Sequence, residues 1–274
     1  MQIKTCISCE EKLISIIMAY YNQPQFIEEA IKSVLGQTYQ NFEIIIANDS
    51  SSDLDLFESL VKLDNRISYF CTDDVGGVKA RTACINKSNY VYFVPLDPDD
   101  YIHPEFLEKT YHALSKRTNY GFCYTDSIFF TEESQQRMIQ PDYNFYNLLQ
   151  NNYICYCSLF RKKDWNSWGG YNMGNFNFFE DYENYIRAGR KGFGGFHIAE
   201  PLFYYRMHKG GMTGKTQDFG KYYKAFIIRW YPELYPPQWQ IEVDKILKDI
   251  PSNFMSLKPK QQEEIISKIE VEST

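Results

Sequence analysis

Basic charge is what this sequence is shortest of. Its 29 lysines and arginines face 35 aspartates and glutamates over 274 residues, for a net charge of −6 at pH 7. A chain of that sign offers no general surface for nucleic-acid phosphates. No apolar run approaches the roughly 20 residues of a membrane-spanning helix, and no secretory leader pattern opens the chain. No G-x-G-x-x-G follows the first strand-like run and no G-x-x-x-x-G-K-[ST] occurs anywhere, which removes the usual dinucleotide and P-loop readings. Any bound phosphate must then be held mainly through metal. Cysteine pairing is also missing. The seven cysteines are an odd number scattered through apparent core strands, a pattern of reducing, cytoplasmic compartments. Cys6-x-x-Cys9 has the spacing of half a zinc site, but no second pair matches it.

What remains is an ordinary globular balance, 44% hydrophobic and 23% charged, with aromatic rings abundant at 23 tyrosines and 20 phenylalanines. The length suits one large α/β domain with a smaller appendage. Residues 1–12 are polar and without period, a lead-in segment. LISIIMAY (Leu13 to Tyr20), FEIIIAN (Phe42 to Asn48) and ISYFC (Ile67 to Cys71) read as strands, the second of them buried, and the run Tyr90 to Leu96 reads as a strand buried on both faces. Between them, Phe26, Ile27, Ala30, Ile31 and Val34 recur at helical spacing, with Gly36 as a stop. Leu56, Leu60 and Val61 suggest a second helix after the cap-rich Asp49-Ser50-Ser51-Ser52-Asp53, and Val78 to Ile85 a third. Strand and helix alternating in this way predict a doubly wound, mostly parallel sheet. Gly121 to Phe130 reads as strand, TEESQQRMIQPD as a polar loop able to fold over a ligand, and Tyr143 to Leu149 as a short helix. Cys155 and Cys157 lie two apart on a strand-like run.

The chain is organised around the end of the fourth strand, where Asp97, Asp99 and Asp100 arrive together in PLDPDDYIHP. Open α/β sheets bind ligands at the carboxyl ends of their strands, and crowded carboxylates there call for a cation between them. Mg²⁺ or Mn²⁺ fits, because each takes one or two carboxylates and fills its other positions with phosphate oxygens and water. A plainer reading makes Asp97 and Asp99 turn residues and Asp100 a cap for the helix that Pro104 opens. Tyr21 and Asp49 stand at neighbouring strand ends, where a ring and a carboxylate could flank one base. Their plainer roles are core residue and helix cap.

Further motifs accompany these. SIIMAYYN, QTYQNFEIIIANDSSSD, PLDPDDYIHP, FFEDYENYIRAGRKG (Phe178 to Gly192) and YYRMHKGGMT (Tyr204 to Thr213) occur in that order. Together they resemble the inverting family 2 glycosyltransferases of the GT-A fold over roughly Leu13 to Thr213. The resemblance implies that Tyr21 and Asp49 hold a nucleotide base, with Arg81 near the nucleotide. It implies that Asp97 and Asp99, with Asp100 sharing the work, contact the ribose and the metal-bound diphosphate, and that His208 reaches the metal or the diphosphate. Asp181 matches the base that deprotonates an acceptor hydroxyl, and its neighbour Glu180 would orient the acceptor or cap the helix. Ala19, Asn48 and Thr82 depart from the family's common Pro, Asp and Asn.

The expected activity is metal-dependent transfer of a sugar, with inversion, from a nucleoside-diphosphate sugar (UDP-sugar foremost) to a carbohydrate or glycoconjugate hydroxyl, in polysaccharide synthesis. The competing readings are a sugar-nucleotide-forming nucleotidyltransferase, which lacks its Gly-rich basic loop here, and a non-catalytic glycan-binding scaffold. Trp168 and Tyr171 are candidates for an acceptor groove, with core packing as the alternative. His103, His112 and His197 read as surface or structural residues. The catalytic domain is expected over 13–215 and a helical region over 216–274. The apolar face of that region would pack on the domain, on a partner, or on the inner face of a membrane.

Overall fold

A computed structural model describes residues 13–171, 179–208, 220–254, 257 and 259–272. The lead-in segment and the stretches 172–178 and 209–219 lie outside the described residues. The first half alternates as expected: β1 (Ile14–Tyr20), α1 (Ile27–Leu35), β2 (Phe42–Asp49), α2 (Leu54–Leu60), β3 (Ile67–Thr72), α3 (Gly77–Lys87) and β4 (Tyr92–Pro95). β1 to β4 lie in the order β3-β2-β1-β4, all parallel, with Tyr20 registered against Asn48. Alternate side chains of β1 serve opposite faces. Ile16, Met18 and Tyr20 pack with Ile27 and Ile31 of α1, whereas Ile17 packs with Ala80 and Cys84 of α3. Burial on both sides is why β1, β2 and β4 are mostly apolar, whereas the edge strand β3 is partly exposed.

The second half is mixed: β5 (Tyr101–Ile102), α4 (Phe106–Ser115), β6 (Tyr120–Phe130), β7 (Gln135–Met138), α5 (Phe145–Gln150), β8 (Leu159–Arg161), α6 (Lys162–Ser167), α7 (Glu180–Arg190) and β9 (Gly194–Arg206). It extends the sheet as β4-β8-β6-β9-β5, with β7 on β6. The long β6–β9 ladder is parallel and the antiparallel ladders are short. The fold is therefore mixed α/β around a mostly parallel sheet, of GT-A type.

Three local expectations are corrected. The polar loop after β6 contains β7, whose Gln135 to Arg137 are exposed and so leave no apolar alternation to read. The run holding Cys155 and Cys157 is irregular, and the strand begins only at Leu159. Helix α4 starts at Phe106, two residues past Pro104. Trp168 and Tyr171 are core: both are buried, and Trp168 Nε1 donates to Asn184 Oδ1 at 2.9 Å.

Helices α8 (Gly220–Trp230), α9 (Gln238–Leu247) and α10 (Pro259–Glu272) follow. Tyr223, Ile227, Ile228, Val243, Phe254 and Ile266 join Tyr185 and Ile186 of α7 in one core. The Tyr231 hydroxyl donates to the fully buried Glu183, which also takes Arg187, and Arg190 pairs with Glu233 at 2.7 Å. Much of the apolar face of this region thus packs against α7 and the core beneath it, although Ile241 is 63% exposed. Among the described residues no helix is long and apolar enough to cross a membrane.

Candidate active site

The carboxyl ends of β1, β2 and β4 open onto one region. Asn22, Ser50 and Asp74, just past β1, β2 and β3, all have positive φ (50°, 64° and 47°). Such turns are costly for residues other than glycine and concentrate at functional sites. Tyr21 lies one residue beyond β1 and is 53% exposed, so its ring is open to a ligand. Asp49 is buried. Its Oδ1 accepts from the Thr72 hydroxyl at 2.7 Å and Val75 N–H at 2.8 Å, and its Oδ2 accepts from Gly76 N–H at 2.8 Å. In this state Asp49 pins the β3–α3 loop beneath Tyr21's end of the sheet. Asp53, the last residue of the cap-rich cluster, accepts from the Tyr20 hydroxyl at 2.6 Å and makes no side-chain cap to α2.

Arg81, on α3, is the hub. Its Nη2 lies 2.7 Å from Asp97 Oδ1 and 3.1 Å from Oδ2, and its Nη1 donates to Glu180 Oε1. The resemblance placed Arg81 at the nucleotide and Glu180 at the acceptor or as a helix cap. Here each occupies the other, and Glu180, 5% exposed, makes no cap. Burial pushes the Asp97 carboxyl up, Arg81 beside it pulls it down, and Asp99 adds to the rise.

Asp99 points the other way. Its Oδ2 lies 2.9 Å from His208 Nε2 and 3.3 Å from Gln23 Nε2, with the His208 ring against Phe26. Asp100 does not join them, because its carboxylate is turned into the fold. Oδ1 accepts from Arg206 N–H and Oδ2 from the Tyr156 hydroxyl, each at 2.7 Å. Burial, then the charge of Asp99, push Asp100 well above the usual carboxylate range. Tyr156 Oη in turn accepts the Asp97 N–H at 2.8 Å, and Arg206 Nε donates to the Asp99 carbonyl at 2.8 Å. Asp100 therefore shapes the turn that aims its two neighbours. No motif marks Tyr156, Gln23 or Asn152; only the fold brings them here.

Among the described residues no group of three His, Cys, Asp or Glu could hold a metal. Asp97 is neutralised by Arg81, which sets it apart from the expected ligand set. Asp99 and His208 still present two ligand atoms side by side. That pair fits a hard divalent ion whose remaining positions are filled by phosphate oxygens and water.

Phe179 opens α7 in the left-handed region, φ 59°. Adjacent helical residues diverge by about 100°. Glu180 accordingly runs back to Arg81, and both it and Asp181 line a cavity of about 560 Å³ together with Arg81 and Asp97. Asn152 Nδ2 donates to Asp181 Oδ2 at 3.2 Å. Burial, reinforced by the charge of Glu180, pushes the Asp181 carboxyl up to about 7. One cavity thus joins an Asp97 held by a cation to an Asp181 poised to exchange a proton near neutrality.

The profile of glycosyl transferase family 2 matches residues 15–185, more than half of the chain. The chain belongs to that family. This family 2 glycosyltransferase is 37% identical to a glycosyltransferase of Haemophilus influenzae over 107 residues, 38% of the chain and 33% of the relative. It is 32% identical to glycosyltransferase GlyA of Streptococcus pneumoniae over 105 residues, 37% of the chain and 15% of that protein. The aligned stretches therefore span a third or less of these relatives. Its fold is that of S. aureus TarS. The crystal structure of TarS residues 1–349 in complex with UDP superposes with TM-score 0.59 and 15% identity, over 91% of this chain and 76% of that one. The complex with UDP-GlcNAc gives the same TM-score over 91% and 77%.

Proposed function

We propose that this glycosyltransferase moves a sugar from a UDP-sugar to an acceptor hydroxyl by a single inverting displacement, in the assembly of a polysaccharide or glycoconjugate. The observation that carries the reading is the shared cavity, lined by Asp97, which Arg81 holds, and by Asp181, which takes Asn152. TarS, of the same fold, has been crystallised with UDP and with UDP-GlcNAc.

In this reading the uracil rests on Tyr21 and meets Asp49 at the neighbouring strand end. The diphosphate lies toward Asp99 and His208, which would hold Mn²⁺ or Mg²⁺ with water and phosphate oxygens. Bound there, the ion supplies Lewis-acid stabilisation of the charge on the departing diphosphate. Asp97, fixed by Arg81 and Tyr156, marks the ribose side of the sugar. The acceptor hydroxyl is a poor nucleophile at neutral pH, and Asp181 takes its proton as it attacks the anomeric carbon. A carboxyl raised to about 7 is half ionised at neutrality and basic enough to accept that proton. Attack opposite the leaving group requires no enzyme nucleophile, and the transition state is oxocarbenium-like, as in glycoside hydrolysis.

The test is UDP release from a panel of UDP-sugars and glycoside acceptors with Mn²⁺. Asp181→Asn should keep UDP affinity and lose transfer by at least the roughly 10²-fold typical of removing a general base. Near-wild-type transfer by Asp181→Asn, with Glu180→Gln inactive, assigns the base to Glu180 instead.

A further inference from the structure

Beyond its acidic end, the cavity has a wall that sugar transfer itself does not require. It is formed by Phe129, Met138, Ile139, Pro141, Ile154 and Tyr205. Ile139 is 74% exposed, among the most exposed large apolar side chains described. A single exposed isoleucine needs no explanation, but one that continues an apolar wall into a catalytic cavity does.

The segment that carries it is also built rather than slack. Asp126, fully buried on β6, takes Arg137 Nη2 at 2.7 Å, Gln140 N–H at 2.9 Å and His197 Nε2 at 2.9 Å. His197 Nδ1 lies 3.1 Å from Asp142 Oδ1, and the Tyr124 hydroxyl donates to the Pro141 carbonyl at 2.7 Å. Polar ties at 137, 140, 141 and 142 therefore bracket Met138 and Ile139 and hold them at the cavity. A buried charge with this many partners is expensive to assemble. Here it fixes a short stretch whose own exposed face is apolar.

We propose that this wall is a subsite for an apolar group carried by the acceptor, an alkyl or aryl aglycone attached to the sugar whose hydroxyl Asp181 deprotonates. The inference rests on Asp181 as the acceptor base. Asp97 and Arg81, on the ribose side, share this cavity, but the occupant is assigned to the acceptor because Asp181 and Asn152 line it while Asp99 and His208, the diphosphate side, do not. Each methylene moved from water onto such a wall is worth roughly fourfold in affinity. Two buried methylenes already exceed a tenfold preference.

The chain saturated with UDP and Mn²⁺ is titrated by calorimetry with octyl β-D-glucopyranoside and with methyl β-D-glucopyranoside, below the concentration at which the octyl glycoside forms micelles. Octyl should bind at least about tenfold tighter than methyl. The advantage should shrink in Ile139→Ser and disappear in the Met138→Ser/Ile139→Ser double variant, with UDP affinity unchanged in both. Equal affinities, or no binding by either glycoside, overturn the subsite. An octyl advantage that survives the double variant also overturns it, placing detergent binding elsewhere. Binding is read without transfer, so an active Asp181→Asn variant removes the base assignment independently of whether the octyl preference stands.

Discussion

Replacing Arg81 by methionine keeps the volume and removes the charge that two carboxylates share. The Arg81 side chain is 8% exposed, Glu180 6% and Asp97 21%. Breaking a buried pair from one side costs about 3–5 kcal/mol, because the remaining charge is left uncompensated. The partial exposure of Asp97 places the expected loss near the lower figure, about 3 kcal/mol. At roughly 2–4 °C per kcal/mol for a chain somewhat shorter than this one, the midpoint should fall by roughly 6–12 °C. The loss should depend on pH. Arg81 is the main influence holding the Asp97 carboxyl down against burial. In Arg81→Met that carboxyl stands further above its unfolded value of roughly 4. A carboxyl raised on folding contributes stability below its unfolded value and loses it as pH rises through the folded one. The gap between variant and wild type should therefore be full at pH 8 and narrow toward pH 4. Urea unfolding at both ends measures it, with Arg81→Lys intermediate because an ammonium cannot span both carboxylates. A loss under 1 kcal/mol, or one independent of pH, refutes the assignment of Arg81 as the common counter-ion.

Transfer should rise about tenfold per pH unit up to about 7 and level off above, since Asp181 must be ionised to act; a profile flat from pH 5 to 8 is incompatible with that role. The same raised carboxyl costs stability as pH climbs toward 7, so Asp181→Asn should melt above wild type at pH 8 and converge with it near pH 4. Calorimetry should show UDP affinity falling sharply with EDTA or Asp99→Ala and more modestly with His208→Ala; unchanged affinity in all three removes the ion. Tyr156→Phe deprives Asp100 of a donor and the Asp97 N–H of its acceptor, and should cost about 1–3 kcal/mol in urea unfolding. An unaltered midpoint would show that water replaces the hydroxyl.

The parallel half of the sheet was legible because strands covered on both faces must be mostly apolar, as Ile14 to Tyr20 and Phe42 to Ala47 are but for the mutually bonded Ser15 and Glu43. Asp97 and Asp181 were legible as motif residues. Their relation was not, since Arg81 and Glu180 meet across 99 residues of chain. Asp100 looked like a residue that shares the ribose and diphosphate contacts because sequence shows charge without direction, and only Tyr156 and Arg206 reveal that it faces inward. β7 escaped because an exposed edge strand of Gln135, Gln136 and Arg137 carries no apolar period. The apolar wall beside it escaped for the same reason: Met138 and Ile139 are two residues in a polar stretch, unremarkable until Asp126 is seen to hold them at a cavity.

Helix α7 is gripped at both ends of its polarity, Glu180 by Arg81 in front and Glu183 by Arg187 and Tyr231 behind. The family profile stops at residue 185, inside that helix. Of the groups that hold Glu183, Tyr231 lies well beyond the matched residues. A fragment ending after Thr213 would keep every motif residue and still lose Tyr231, which donates to Glu183, and Glu233, which pairs with Arg190. Under the proposed role of Asp181, changes at Tyr231 or Glu233 would reach the acceptor side through α7, without a contact to Asp99 or His208.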